Sequence, residues 1–447
     1  MNRFALVLAL LSSGAVAQPA VQFADGCALY DHGPVARAGA PIERLQRVAR
    51  STASETVTTS GSATFEVNYS GFTPEARAAF QRAVEIWSEH ISSPVPIRIQ
   101  AEFTPLGPRT LGSAGPFLLR DFPGAPLPST WYPFALADAI AGQDLSELFP
   151  EPEDFFYDIN AQFNSSQTAF YFGLDGNPPS NQFDFVTIVL HELGHGLGFI
   201  GSGSVDDGSG DAECNGVRST GCWGYFSGNP SGFPFVFDRF IEDGRGVEFL
   251  DTDVYPNPSR ALGGLLQSED LFVDSPNVTR LFGAEAPVWA PVSFEEGSSF
   301  SHWDEIVVRG TSAALMTPQV ARGEAYQDPG NITCAFFGDM GWALGTGCSL
   351  LTVDSEDELA RPVVGLEVVG PNPFSGLTRV ALTQSAPGAV RAFVIDAIGR
   401  HVAVILDGPV GREAVLEVDA SRLPSGVYRL VVQTEGGVES VPLTVAR

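Results

Sequence analysis

The chain has 447 residues, of which 44% are hydrophobic and 17% charged; this is too apolar for disorder along the whole length and long enough for two or three cores of ordinary size. Fifty-three acidic residues against 25 basic ones give a formal charge of −28, and every basic residue is Arg. A surface for duplex nucleic acid is not expected, because neutralising phosphates needs a cationic face, and 48 Gly with 33 Pro point to long loops and short strands.

In chain order, residues 1–17 (MNRFALVLALLSSGAVA) carry Arg3, an apolar run over 4–11 and small residues at Ala15 and Ala17. That is the layout of a cleaved secretory signal, and it is too short to span a bilayer. No later stretch is long enough for a membrane helix, so the mature chain is expected outside the cytoplasm without an anchor of its own. Residues 18–60 are polar and aperiodic, as in a pro-segment or N-terminal arm.

From residue 61 the pattern sharpens. Residues 63–69 (ATFEVNY) alternate as a strand does, Thr73-Pro74 offers an N-cap and first-turn proline, and Phe80, Val84, Trp87 and Ile91 follow at helical spacing. Residues 95–103 alternate again. Strand, helix and strand in that order predict a crossover with the helix packed on a sheet. Residues 104–150 are rich in Pro and Gly around a short helix at 135–141, and 158–163 and 169–172 read as short strands. At Asp184 a helix begins, DFVTIVLHELGHGLG, with Asp184 as N-cap and Gly198 as its stop.

This helix carries the chemistry. His191-Glu192-Leu193-Gly194-His195 reads HExxH: residues i and i+4 share a helix face, so two imidazoles reach one ion, while Glu192 projects to the side where a metal-bound water would sit. Three neutral nitrogen ligands leave Zn²⁺ an open position and lower the pKa of its water to about 7. Glu192 then serves as general base and acid. Two histidines on an amphipathic helix with no metal, or a structural zinc site, are the blander readings, the latter usually closed by Cys ligands.

A third ligand is needed. In the extended pattern HExxHxxGxxH it is a His three residues past the Gly, but here that position is Gly201. The other histidines are His32 in the arm, His90 on the early helix, His401 near the C-terminus and His302 in FSHWDE. A downstream Glu would need a second helix, with Glu269 the nearest candidate.

HELGHGLGF, a long insertion over residues 202–300, SHWDE and then ALMTP together resemble the leishmanolysin-like metzincin metalloproteases, over roughly residues 60–345 and including DMGWAL at 339–344. The resemblance implies an α+β domain over 61–348, with a twisted mixed sheet, packed helices and an HExxH active-site helix. It also implies His191, His195 and His302 as zinc ligands, Glu192 as catalytic residue, Gly198 as the turn that redirects the chain and Met316 as the methionine of a turn beneath the metal. No residue matches an oxyanion stabiliser. The expected function is a secreted zinc endopeptidase acting on protein or peptide substrates, the alternative being an inactive adhesin or binding protein with the same fold.

Export gives meaning to five cysteines. Cys214 with Cys222 and Cys334 with Cys348 bracket short loops and are the simplest pairs, leaving Cys27 over. A thiol ahead of a zinc protease suggests latency, with Cys27 occupying the metal's open position; a free or differently paired Cys27 is equally consistent with the odd count. Asp206, Asp207 and Asp211 lie in a Gly/Ser loop that offers a Ca²⁺ site, although a solvated acidic loop is the more ordinary reading.

Residues 349–363 are an acidic linker. Beyond it, over 364–447, strand runs at 379–382, 390–395, 401–406, 414–418, 428–434 and 439–445 alternate with turns, predicting a small antiparallel β-sandwich. GPNPF at 370–374, VIDAIGR at 394–400 and LPSGVYRLVV at 423–432 resemble the C-terminal sorting domain (type A) of type IX secretion cargo. That implies passage through periplasm and outer membrane by the type IX machinery, to the cell surface or medium.

Overall fold

The computed structural model describes residues 20–23, 27–31, 35–39, 54–57 and 63–446, apart from 108, 149–156, 207, 209–213, 227–228, 231, 310, 312, 352–363, 385–386, 397–400 and 435–436. The expected signal at 1–17 and most of the linker at 349–363 lie outside these residues. Before residue 58 only the backbone is described, Leu29 excepted.

The expected arm at 18–60 contributes four strands: β1 (Ala20–Phe23), β2 (Cys27–Asp31), β3 (Val35–Gly39) and β4 (Ser54–Val57). β5 (Phe65–Ser70) leads into α1 (Pro74–His90), whose N-cap Thr73 accepts the Ala76 N–H at 3.2 Å. Phe80, Val84 and Trp87 are buried as their spacing requires, but Ile91 lies past the helix end and caps it in an extended conformation. β6 (Ile97–Thr104) alternates buried and half-buried residues and pairs in parallel with β5, the arrangement a crossover helix produces.

Next comes β7 (Thr110–Arg120), where the sequence predicted only loop. Gly112, Gly115 and Pro116 read as breakers, and because nearly every residue is buried there is no alternation to detect. Gly112 is required by packing: a Cβ there would stand 2.6 Å from the Phe163 ring. Helix α2 (Phe134–Ala141), β8 (Ile159–Asn164), α3 (Phe185–Leu197) and, much later, β9 (Gln319–Ala321) complete the frame.

The main sheet runs β9-β3-β2-β7-β8-β6-β5-β4, with β1 and Trp131–Pro133 also paired to β7. β5, β6 and β8 are mutually parallel and β7 is antiparallel to β8. α1 and α3 pack together, joined by Trp87 Nε1–H donating to the Leu190 carbonyl at 2.9 Å, and edge-on contacts of Phe185 with Phe163 (5.4 Å) and Phe103 (5.8 Å) seat α3 on the sheet. The class is α+β. The insertion at 202–300 holds small sheets and short helices, its two ends pinned where the Gly201 N–H donates to Ser301 Oγ at 3.1 Å. Closing so long a loop adds little entropy over a shorter one. Both expected disulfides are present, Cys214–Cys222 and Cys334–Cys348, with Cα separations of 5.5 and 5.7 Å.

The C-terminal region has its own core. β10 (Val364–Val368), β11 (Leu377–Gln384), β12 (Gly388–Asp396), β13 (His401–Val410), β14 (Glu413–Asp419), β15 (Gly426–Thr434) and β16 (Gly437–Val445) form two antiparallel sheets, β10-β11-β14 and β13-β12-β15-β16. Val380, Leu382, Val394, Leu416, Leu430 and Leu443 lie in the shared interior. The alternation read from sequence holds, with the strands two to four residues longer than expected. Among the described residues no helix is long and apolar enough to cross a membrane.

Candidate metal centre

Helix α3 is buried along its whole length, as its apolar composition on every side demands. Asp184 caps it, with Oδ2 accepting the Thr187 N–H at 3.0 Å and the Thr187 hydroxyl at 2.7 Å. Two glycines let neighbours approach: a Cβ at Gly194 would lie 2.6 Å from Met316 Sδ, and one at Gly196 the same distance from Ile159. Met316 therefore sits directly under the turn between His191 and His195. Gly198 ends the helix at φ +125°, a region L side chains rarely adopt, and faces Pro133. The sharp turn brings the next carbonyl, that of Phe199, back onto His195.

His302 arrives from the far end of the insertion. It is held by the Gly201–Ser301 bond on one side and, on the other, by the Trp303 N–H donating to the Met316 carbonyl at 2.9 Å. The segment carrying His302 and the turn carrying Met316 are thus one hydrogen-bonded unit packed against α3.

The three imidazoles meet. Nε2 of His195 lies 3.0 Å from Nε2 of His191 and 3.2 Å from that of His302, and the remaining pair is 3.2 Å apart. Each Nδ1–H donates to a backbone carbonyl: His191 to Leu315 at 2.7 Å, His195 to Phe199 at 2.6 Å and His302 to Ser298 at 2.7 Å. Those bonds put the proton on Nδ1 and leave three Nε2 lone pairs facing one another. Burial holds the His191 pKa down to about 4 and those of His195 and His302 well below 6.5, neighbouring imidazoles adding to the effect for the last two. Three converging acceptors without a proton between them repel; a shared cation resolves the conflict. Nitrogens about 2.0 Å from one ion at tetrahedral angles stand about 3.3 Å apart, close to the observed triangle. Among the described residues this is the group of His, Cys, Asp and Glu able to hold a metal ion.

Glu192 is fully buried beside this triangle. Burial pushes its pKa well up, against two backbone donors: the Ala114 N–H of β7 at 3.0 Å to Oε2 and the Leu29 N–H of β2 at 3.2 Å to Oε1. The two amides hold both carboxylate oxygens in place on the helix that carries His191 and His195.

The structure thus brings together His191, Glu192, His195, Gly198, His302 and Met316. Other candidates stand apart. His90 is buried, its Nδ1 bonded to the Ile86 carbonyl at 2.6 Å; Glu269 lies outside the histidine group. The side chains of His32, His401 and Cys27 lie outside the described residues, as do Asp207 and Asp211. Asp206, offered above for Ca²⁺, is buried and accepts the backbone N–H groups of Cys214, Asn215 and Gly216, so its carboxylate shapes the disulfide loop. The carbonyls of Phe199, Ser298 and Leu315 and the amides of Leu29 and Ala114 escaped the sequence reading, because a backbone group carries no residue signature.

Comparison with known proteins adds little. The family described as SPBPB7E8-like matches residues 56–208, well under half of the chain but including α1, the parallel strands and HExxH. No curated protein matches the sequence. Among solved structures, the CARDB domain of a Pyrococcus furiosus protein in complex with di-metal ions is similar at 14% identity, over 20% of this chain and 90% of that one, with a TM-score of 0.15. A likeness of that size carries no argument about this chain.

Proposed function

We propose that this chain is an exported zinc endopeptidase of the metzincin type. The observation that carries the reading is the triangle of Nε2 atoms, each imidazole locked by a carbonyl on its other nitrogen, beside a buried carboxylate on the same helix. His191, His195 and His302 would hold the zinc ion. When bound, the ion supplies Lewis acidity toward a peptide carbonyl and lowers the pKa of a water to about 7. Glu192 would then accept a proton from that water and pass it to the leaving amine. The carbonyls of Leu315, Phe199 and Ser298 keep each ring in the metal-binding tautomer, and Met316 against Gly194 fixes the floor. Met316, packed against Gly194 beneath the two helix histidines, supports the metzincin reading.

The two-sheet C-terminal module supports the companion reading, a type IX sorting domain that delivers the peptidase to the cell surface or medium.

The test is zinc analysis with casein digestion, before and after limited trypsin treatment at Arg44, Arg47 or Arg50 in the expected pro-segment, trypsin then being blocked. About one zinc per chain, with digestion abolished by chelator and restored by zinc, is expected. A Glu192→Ala chain that binds zinc yet digests casein at the unsubstituted rate would end the reading. Zinc binding with no digestion at any stage would favour a binding protein.

A further inference from the structure

We infer that the C-terminal sandwich docks by its outer face on the helix that follows His302, and so braces the third histidine of the metal centre. The docking stands on packing alone; the brace rests on the peptidase reading and gives the sandwich a positioning role in it.

In a two-sheet sandwich each strand turns alternate side chains inward and the others toward solvent. β12 and β15 obey this on the inner side, where Ala392, Val394, Leu430 and Val432 are buried. On the outer side Ala389, Arg391, Val427 and Arg429 are exposed. Phe393 and Val431 break the rule. They stand opposite each other across the ladder at outward positions, yet are only 1% and 3% exposed. Val404, opposite Phe393 on β13, is 61% exposed. A cover therefore lies over Phe393 and Val431 and stops short of Val404, and the side chain packed on the pair is Ile306.

Ile306 belongs to the four-residue helix Glu305–Val308. A single turn has no stability of its own, so this one is held from two sides: Val308 joins the larger core and Ile306 meets the sandwich. Asp304 caps it, Oδ1 accepting the Ile306 N–H at 2.8 Å. Between Asp304 and His302 stands Trp303, whose backbone N–H donates to the Met316 carbonyl and whose Nε1–H donates to Thr333 Oγ1 at 3.1 Å. A displacement of Ile306 is thus passed to the ligand along a short, hydrogen-bonded strip. Charge agrees with the docking: Arg429 lies two residues before Val431 on the same outer face, and its charge opposes the rise that burial causes in the pKa of Asp270, in the insertion. The contact is small, so each core folds on its own, and the brace acts while the sandwich is folded.

The experiment uses the full chain in four forms: unsubstituted, Val431→Glu, Ile306→Glu and Val404→Glu. Hydrogen exchange over residues 303–308 is read with and without zinc, and zinc affinity by competition with a chelator. Val431→Glu alters no residue of the larger domain, and exchange over β11 and β14 reports that the sandwich stays folded. This variant is expected to speed exchange at 303–308 and to weaken zinc binding about two- to thirtyfold, the range of coupling between packed sites. Ile306→Glu should do the same, and adding it to Val431→Glu should weaken zinc no further, since one contact is lost only once. Val404→Glu should match the unsubstituted chain. If Val431→Glu unfolds the sandwich, Phe393→Ser, uncharged and on the same outer face, carries the same expectations and the same reversals. Equal exchange at 303–308 in the Val431→Glu and Val404→Glu chains overturns the docking; faster exchange with zinc affinity unchanged overturns the brace. Zinc content that survives His302→Ala would instead sink the peptidase reading, while exchange on the zinc-free chain judges the docking without any metal.

Discussion

The two cores of this chain bury different things. The larger one encloses His191, Glu192, His195, His302, Asp184 and Asp238 among its apolar side chains, whereas the C-terminal sandwich is filled by Val, Leu, Ala, Phe and Tyr, with Thr378 and Gln384 as its buried polar residues among those described. Burying ionisable groups is costly unless each is bonded or neutralised. In the larger core much of the cost is met by named partners: carbonyls on three imidazoles, amides on Glu192, the Ser202 and Phe235 N–H groups on Asp238, while Asp184 keeps Oδ2 bonded and Oδ1 without a hydrogen bond. The proposed chemistry is placed where polar groups are buried and held, whereas the described interior of the sandwich is almost wholly apolar.

The sharpest way to break this contrast is to remove a ligand. His302→Ala should take zinc content from about one per chain to near zero, with hydrolysis lost alongside, while the sandwich keeps its strand signature by circular dichroism; retention of zinc would show that the triangle is only packing. Next in size, Glu192→Gln should cut kcat by about 10²–10⁴ with zinc content unchanged, so a proportional loss of zinc would make Glu192 a structural residue. In the other core, Leu430→Ala removes a fully buried side chain and should cost about 2–5 kcal/mol, read as earlier sandwich unfolding in urea with zinc and peptidase rate unaltered. Coupled loss of both would deny that the two cores are independent.

A further test is in pH. The metal-free chain holds His191 at about 4, below the ordinary 6.5, and His195 and His302 are shifted the same way. The unfolded state therefore binds protons first: stability from these rings is complete above about 6.5 and declines as pH falls toward 4. Midpoints of urea unfolding at pH 7.5 and 5 on zinc-free protein check this, and His302→Ala should flatten the difference.

How far the sequence revealed this follows from where each signal resides. Helix α3 and its caps were legible because Asp184, the HExxH spacing and Gly198 are local. The sandwich was legible because one face of each strand is apolar. His302 and Met316 were reached by resemblance, since a hundred intervening residues break any periodic link to α3. Strand β7 was missed because burial on both faces erases alternation and Gly112 and Pro116 mimic a turn. β1 to β3 were read as an aperiodic arm, for their pairing is dictated by partners at Thr110–Arg120 and Gln319–Ala321 rather than by their own pattern.

The most direct test of the central claim is X-ray absorption at the zinc edge on the purified, zinc-loaded chain. Three imidazole nitrogens at about 2.0–2.1 Å with one further light ligand are expected. A sulfur shell, two nitrogens only, or a spectrum unchanged by His302→Ala would contradict it.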